Sequence, residues 1–82
     1  MKISVEMSYY PLSDSYLPSI QGTVARLNAC QDVLVKTNAM STQVVGDFDI
    51  VTALINKEMK QSFQENGKAV FVCKFINAAL DI

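Results

Sequence analysis

The chain has 82 residues, half of them apolar, and a formal net charge of −1. At this length we expect residues 1–82 to form a single domain with a small core. The charge balance gives no basic footprint for nucleic acid, and the absence of histidine excludes histidine-assisted nucleophiles and histidine zinc sites. Cys30 and Cys73 are too isolated to form a closed zinc site, so no metal is expected.

The sequence contains no segment that predicts a membrane or secretory destination. The N-terminal stretch MKISVEMS has one lysine but no apolar core, and no apolar run reaches membrane-spanning length. Two cysteines outside any CxxC pair are typical of a reducing compartment. We therefore expect a cytoplasmic protein without membrane insertion, in which Cys30 and Cys73 are not bonded to each other.

The first two elements are a strand over residues 2–10 and a helix. Apolar and polar side chains alternate in the strand until Pro11, which predicts one apolar and one polar face. The residues suited to cap the helix are Ser13, Asp14 and Ser15, and Pro18 falls in its first turn. The apolar residues expected on its buried stripe are Leu17, Ile20, Val24 and Leu27.

The next pattern predicts a β-hairpin. Residues 32–39 and 42–45 are each expected to form a strand, and in the first of them Val33, Val35 and Thr37 alternate with Leu34, Lys36 and Asn38. The connection around Met40 and Ser41 is short enough for a turn between antiparallel strands. Gly46 is expected to break the second of these strands, because glycine weakens a strand interior.

A long second helix is expected after the hairpin. Asp47 or Asp49 would cap its start, and Gly67 after Asn66 is a typical C-terminal stop. The apolar residues expected on its buried stripe are Phe48, Val51, Leu54 or Ile55, Met59 and Phe63. The polar residues expected on its exposed face are Lys57, Glu58, Lys60, Gln64 and Glu65.

The last element is a strand with the sequence KAVFVCKFI, residues 68–76. It is apolar on both faces apart from Lys68 and Lys74, which predicts that both faces are covered. Lys74 lies inside the apolar run. We expect it to pair with a carboxylate such as Glu6 on the neighbouring strand rather than to act in catalysis.

The element order β-α-β-β-α-β predicts an α+β, ferredoxin-like sandwich, with two helices packed on one face of a four-stranded antiparallel sheet. In that topology the first strand is central. The other face of the sheet carries Glu6, Ser8 and Tyr10 beside apolar residues of the last strand. Such a mixed face suggests that a ligand or a second subunit covers it, so we expect a homo-oligomer, either a dimer or a tetramer.

Two motifs carry a resemblance to a known family. The stretch MSYYPL, residues 7–12, and the stretch MSTQVVGDFDIV, residues 40–51, resemble the YkoF-type proteins that bind thiamine and hydroxymethylpyrimidine. These proteins belong to the broader group of small thiamine-binding ferredoxin-like proteins, whose members often have a glutamate where this chain has Val45. The resemblance implies a non-enzymatic binder of thiamine or its pyrimidine half. Some family members contain two tandem copies of the domain, so a single copy implies a homodimer.

An aminopyrimidine is a flat ring with nitrogen acceptors and an amine, so its site needs hydroxyl, amide or carboxylate partners and an apolar wall. The stretch from Asn38 to Thr42 is the expected rim, because a hairpin turn alone would favour Asn or Gly over Met-Ser. The ligand-binding residues expected from the sequence are Glu6, Ser8, Tyr10, Thr37, Asn38, Met40, Ser41 and Thr42. No phosphate-binding loop is visible, which favours an unphosphorylated ligand, and no cofactor or catalytic residue is expected.

Other interpretations of the same residues remain open. Ser41 and Thr42 are also ordinary turn residues. Glu6, Ser8 and Tyr10 are also consistent with the polar side of a strand or with a subunit contact. The main alternative function is an oligomeric regulatory module that binds another small metabolite at a subunit interface. A cofactor-free enzyme is the weakest hypothesis, because no acid and base occur at a recognisable spacing.

Overall fold

The computed structural model describes residues 1–12 and 16–82, and the elements follow the predicted order. They are β1 (Lys2–Pro11), α1 (Tyr16–Ala29), β2 (Leu34–Thr37), β3 (Thr42–Asp47), α2 (Phe48–Asn66) and β4 (Ala69–Ile76). The expected N-cap residues Ser13, Asp14 and Ser15 lie outside the described residues, as does the side chain of Leu17.

The four strands form one antiparallel sheet in the order β2-β3-β1-β4, with β1 central as expected. Val5 of β1 lies opposite Val44 of β3 and Phe75 of β4. Side chains alternate across a strand, so Ile3, Val5 and Met7 share the face that the helices cover, and none is more than 3% exposed. This arrangement is the ferredoxin-like α+β sandwich predicted from the element order.

The core is small and lies between α2 and the central strands. Ile3, Val5 and Val44 of the sheet form a buried cluster with Val51 and Ile55 of α2. Complete burial of one such side chain stabilises the fold by about 1.5–3 kcal/mol, so this cluster holds α2 on the sheet. Val51 and Ile55 are therefore buried as their helical spacing predicted.

The predicted burial of other residues in α2 is wrong. Phe48 and Phe63 are 43% and 42% exposed, whereas Glu58, which was expected in water, is 2% exposed. The reason is the neighbouring helix: Arg26 Nε of α1 donates to Glu58 Oε2 at 2.7 Å. A buried carboxylate needs such a charged partner, and the spacing of residues within α2 does not reveal it.

The predicted stripe on α1 is also only partly correct. Leu27 is fully buried, but Ile20 and Val24 are partly exposed. Thr23, which is 1% exposed, lies at the helix interface instead, with its Oγ1 atom 2.9 Å from Ser62 Oγ of α2. The two helices therefore meet through polar contacts, and part of the apolar side of α1 remains free to line a cleft.

Contrary to expectation, Gly46 lies inside β3, opposite Ile3. A Cβ atom at this position would lie 3.0 Å from Val33 Cγ1 and 3.1 Å from Val51 Cγ2, closer than side chains normally pack. Glycine therefore allows α2 and the segment before β2 to approach the sheet closely. The neighbouring strand β2 is shorter than predicted and covers only Leu34–Thr37.

The prediction that both faces of β4 are covered is wrong. β4 is an edge strand of the sheet, with a neighbour on one side. Its exposed apolar residues are Val70 (45%), Val72 (50%), Phe75 (55%) and Ile76 (47%). An edge strand this apolar is a typical surface for further association.

Residues 77–82, which we call the tail, fold back across the sheet face that the helices leave open. Ser4 Oγ donates to Ala78 O at 2.6 Å and accepts from Leu80 N at 2.9 Å. These contacts reduce the exposure of Ser4 to 6%. The opposite end of the same face, around Tyr10, stays open, with Tyr10 54% exposed.

Candidate functional site

The turn between β2 and β3 is built by one side chain. Asn38 Oδ1 accepts hydrogen bonds from Met40 N at 2.8 Å and from Ser41 N at 3.0 Å, and Asn38 N donates to Ser41 O at 3.0 Å. Asparagine is favoured at such positions because its side chain can replace a backbone acceptor. The turn ends β2 at Thr37 and leaves Met40, which is 84% exposed, at the tip.

A cleft of about 230 Å³ lies on the helix-covered side of this turn, and we call it the helix-side cleft. The hairpin, the end of β1 and the middle of α1 form its walls. Much of its polar lining comes from the hairpin, at Thr37, Asn38 and Thr42, and Thr23 of α1 also lines it. Its apolar lining comes from the other two elements, chiefly from Met7, Ile20 and Val24.

The polar part of the helix-side cleft contains a pair of threonine hydroxyls. Thr37 and Thr42 lie opposite each other in the β2–β3 register, with their Oγ1 atoms 3.1 Å apart. Thr42 is 5% exposed, whereas Thr37 is exposed. The hydrogen bond between the two hydroxyls uses one hydrogen, so the pair keeps one donor and several lone pairs for a ligand.

Glu6 and Ser8 lie on the other side of the sheet. With Ser41, Val72 and Lys74 they line a second cleft of about 280 Å³, the open-face cleft. Ser41 Oγ donates to Glu6 Oε2 at 3.1 Å, and Lys74 Nζ lies 3.5 Å from Glu6 Oε1. The expected pairing of Lys74 with Glu6 is confirmed. Their side chains are 81% and 41% exposed, so water screens the pair and it stabilises little.

The residues predicted for one site are therefore divided between two clefts on opposite sides of the sheet. Those in the helix-side cleft are Thr37, Asn38 and Thr42, and those in the open-face cleft are Glu6 and Ser8. The residues that line both clefts are Tyr10, Met40 and Ser41. The hairpin tip and the end of β1 separate the two clefts, so one small ring cannot contact the whole predicted set.

The sequence did not identify the wall that faces the hairpin. Ile20 and Val24 of α1, together with Met7 and Tyr9 of β1, line the helix-side cleft. The ring of Tyr9 is held in place by Phe71, on which it stacks with centroids 4.4 Å apart. Helical spacing predicted that Ile20 and Val24 share the apolar face of α1. Spacing does not tell whether such a face packs in the core or lines a cleft.

Residues 1–12 and 16–82 include both cysteines of the chain. Cys30 and Cys73 are free, which confirms the expectation that they are not bonded to each other. Within these ranges no helix is both long enough and apolar enough to cross a membrane. The same residues contain no group of three or more histidine, cysteine, aspartate or glutamate side chains that could hold a metal ion.

Several solved structures share the fold at low sequence identity. Protein SP2199 from Streptococcus pneumoniae has a TM-score of 0.88 at 20% identity, over 98% of this chain and 90% of that chain. TM0486 from Thermotoga maritima, a protein proposed to act in thiamine biosynthesis or salvage, has a TM-score of 0.86 at 13% identity, over 100% of this chain and 91% of that chain. Protein MJ1052 from Methanocaldococcus jannascii has a TM-score of 0.81 at 22% identity, over 99% of this chain and 84% of that chain. These similarities establish the ferredoxin-like fold; no protein-family model and no curated protein matches the sequence.

Proposed function

We propose that this protein binds thiamine or its hydroxymethylpyrimidine half in the helix-side cleft, without chemical turnover, as a carrier, a sensor or a transport accessory. The observation that carries the proposal is the hydroxyl pair of Thr37 and Thr42, 3.1 Å apart, in a cleft with apolar walls. Two further observations support it. The motifs at residues 7–12 and 40–51 resemble those of YkoF-type thiamine-binding proteins, and the Thermotoga maritima protein with the same fold is proposed to act in thiamine biosynthesis or salvage.

The size of the helix-side cleft favours the pyrimidine half as the buried part of the ligand. Sites for drug-sized ligands have volumes of about 300–1,000 Å³. The helix-side cleft, at about 230 Å³, is smaller and suits one substituted ring. Met7, Ile20 and Val24 offer apolar contacts to this ring, and methionine adapts readily to flat ligands. The thiazolium half of thiamine would then lie outside, near Tyr10 and Met40.

Isothermal titration with thiamine, hydroxymethylpyrimidine and thiamine diphosphate tests this proposal. The protein should bind the first two, and the diphosphate no better, because the sequence contains no glycine-rich phosphate-binding motif. Thr42→Val keeps the shape of the side chain but removes one hydroxyl of the pair, so it should weaken binding about fivefold or more. Thr52→Val is the matched control, because the Thr52 hydroxyl donates to Phe48 O within α2, outside the helix-side cleft.

Two outcomes would contradict the proposal. One is unmodified protein that binds none of the three compounds, which would favour a regulatory module for another metabolite. The other is a Thr42→Val variant that folds and binds thiamine as tightly as the unmodified protein. In that case Thr42 serves only the turn, and the ligand site lies elsewhere.

We also propose that the protein is a homo-oligomer. The apolar side chains of Val70 and Val72 line an uncovered part of the edge strand β4, where a second copy would bury them. Stable interfaces bury about 1,200–2,000 Å² in total. Sedimentation velocity at tens of micromolar protein should show a dimer or tetramer. The substitution Val72→Lys should shift the association equilibrium towards monomer. Gln64→Lys, on the exposed side of α2, is the control; a purely monomeric unmodified protein would refute this proposal.

A further inference from the structure

The orientation of the Asn38 carboxamide is decided by the turn it forms. Its Oδ1 atom lies 2.8 Å from Met40 N and 3.0 Å from Ser41 N. Both partners are backbone N–H donors, so the group that faces them must be the carbonyl oxygen, and the reversed amide would bring donors together. The amide nitrogen Nδ2 consequently faces away from the turn with its two hydrogens. Within residues 1–12 and 16–82 this nitrogen has no hydrogen-bond partner.

The other polar groups of the helix-side cleft are less selective than Asn38. The hydroxyls of Thr37 and Thr42 can each donate or accept, so their hydrogen bond can adapt to either kind of ligand group. An amide nitrogen can only donate. Because Oδ1 is held by two hydrogen bonds, the donor at Nδ2 is also preorganised, and little side-chain freedom is lost when a ligand binds.

We propose that Asn38 is a specificity-determining residue of the helix-side cleft, where its Nδ2 donates to an unprotonated ring nitrogen of a single-ring heterocycle. This inference rests on the proposed function and adds the atom that the protein selects. A ring that presents C–H or N–H at that position leaves the amide without an acceptor. Sites built around one hydrogen-bonding group reject ligands that lack its partner much more strongly than apolar pockets reject a change of size.

The substitution Asn38→Asp separates the two roles of this side chain. An aspartate keeps an oxygen for the bonds to Met40 N and Ser41 N, but it replaces the donor by an acceptor. Hydroxymethylpyrimidine is the probe, because it lacks the permanent positive charge of thiamine, which a new carboxylate would attract. The variant should bind this probe at least about tenfold more weakly, with an unchanged thermal unfolding midpoint. Asn56→Asp, the same change at an exposed position of α2 outside both clefts, is the control, and its affinity should stay within about twofold of the unmodified protein.

Analogues test the contact atom by atom. In each of two analogues, one ring nitrogen of hydroxymethylpyrimidine is replaced by C–H. The analogue that lacks the accepting nitrogen should bind the unmodified protein about tenfold more weakly than the probe. The substitution Asn38→Asp should not weaken the binding of this analogue further, because the donor and its acceptor are coupled. A structural role of Asn38 would weaken the binding of probe and analogue alike. The inference is overturned if neither analogue shows this coupling, or if Asn38→Asp binds the probe as the unmodified protein does.

A second measurement covers the case in which Asn38→Asp does not fold. The side-chain amide resonances of Asn38 in the unmodified protein should shift when hydroxymethylpyrimidine is added, whereas those of the exposed Asn77 should not. Binding without a shift at Asn38 overturns this inference but leaves the proposed function standing. An unmodified protein that binds neither thiamine nor hydroxymethylpyrimidine overturns both.

Discussion

The two faces of the sheet differ in what covers them. On the helix-covered face, Val5 and Val44 are 2% and 0% exposed, whereas on the open face Leu34 and Val72 are 56% and 50% exposed. All four are apolar residues in strands, so hydropathy alone does not explain the difference. The helices supply a partner for one face, while among the described residues the other face has only the tail.

The two ends of the open face differ in whether the chain covers them. At the Ser4 end, the tail accepts and donates hydrogen bonds through Ala78 and Leu80. At the Tyr10 end, no part of the described chain plays this role, and the open-face cleft lies there beside the hairpin tip. The tail therefore shields one half of this face, and the uncovered half is where a second copy would gain most by binding.

The largest expected effect separates a buried leucine of α1, in the layer that covers one face, from an exposed leucine on the open face. Leu27→Ala should lower the free energy of unfolding by about 2–5 kcal/mol, because it leaves a cavity in a fully buried site. Leu34→Ala should change it by less than about 0.5 kcal/mol, because the side chain is 56% exposed. Urea titration measures both values. A large cost at Leu34 would mean that the open face is covered in solution, by a second copy of the chain.

The next effect concerns two glycines that differ in their surroundings. Gly46→Ala should destabilise the protein by about 1–3 kcal/mol, since the added Cβ would meet Val33 and Val51 at 3.0 and 3.1 Å. Gly22→Ala should stabilise it by about 0.5–1 kcal/mol, because the nearest heavy atom, on Arg26, is 3.5 Å away and alanine is the better helix former. Thermal and urea unfolding would reveal the opposite signs. Equal effects would show that the helix-covered face packs less tightly at Gly46.

A smaller effect is expected where the tail meets the sheet. Ser4→Ala removes the hydroxyl that binds both Ala78 and Leu80, which should cost about 0.5–1.5 kcal/mol and release the tail. Hydrogen exchange of the Leu80 amide should become faster, because its acceptor is lost. Ser8→Ala, on the same face of β1, should leave this exchange rate unchanged. Unchanged exchange in Ser4→Ala would show that other contacts hold the tail.

The smallest expected effect is a reaction rate at Cys73, which lies on the helix-covered side of β4 opposite Met7. Burial raises the pKa of the Cys73 thiol, so less reactive thiolate is present at a given pH. In a Cys30→Ser variant, a thiol reagent near pH 8 should therefore modify the native protein more slowly than the urea-unfolded protein. Equal rates in the two states would mean that β4 is not covered on its helix side.

Several features of this protein could be predicted from local sequence patterns. The alternation from Ile3 to Tyr9 identified β1 and its buried face, because a strand has a period of two whatever packs against it. Gly67 identified the end of α2; it has a φ of 75°, and its N–H donates to Phe63 O at 3.2 Å. Glycine adopts this backbone conformation without steric cost, so the signal did not depend on distant residues.

The hairpin turn was predicted as well, but the division of the residues around it between two clefts was not. Asn38, Thr37 and Thr42 stand where the sequence predicted polar groups around a turn, because turn chemistry is local. Whether a side chain at that turn faces the helices or the open face depends on the register with β1, which joins Met7 to Thr42 and Glu6 to Gln43. Register is a property of two strands that are far apart in the chain.

The polar helix interface and the covering of each sheet face were decided only by the tertiary structure. Glu58 is buried because Arg26, on the other helix, donates to its carboxylate, and Ser4 is buried because residues 77–82 fold back over it. Periodicity within an element determines which side chains share a face. It carries no information about which distant segment will lie on that face, because that choice is made by the packing free energy of the whole chain.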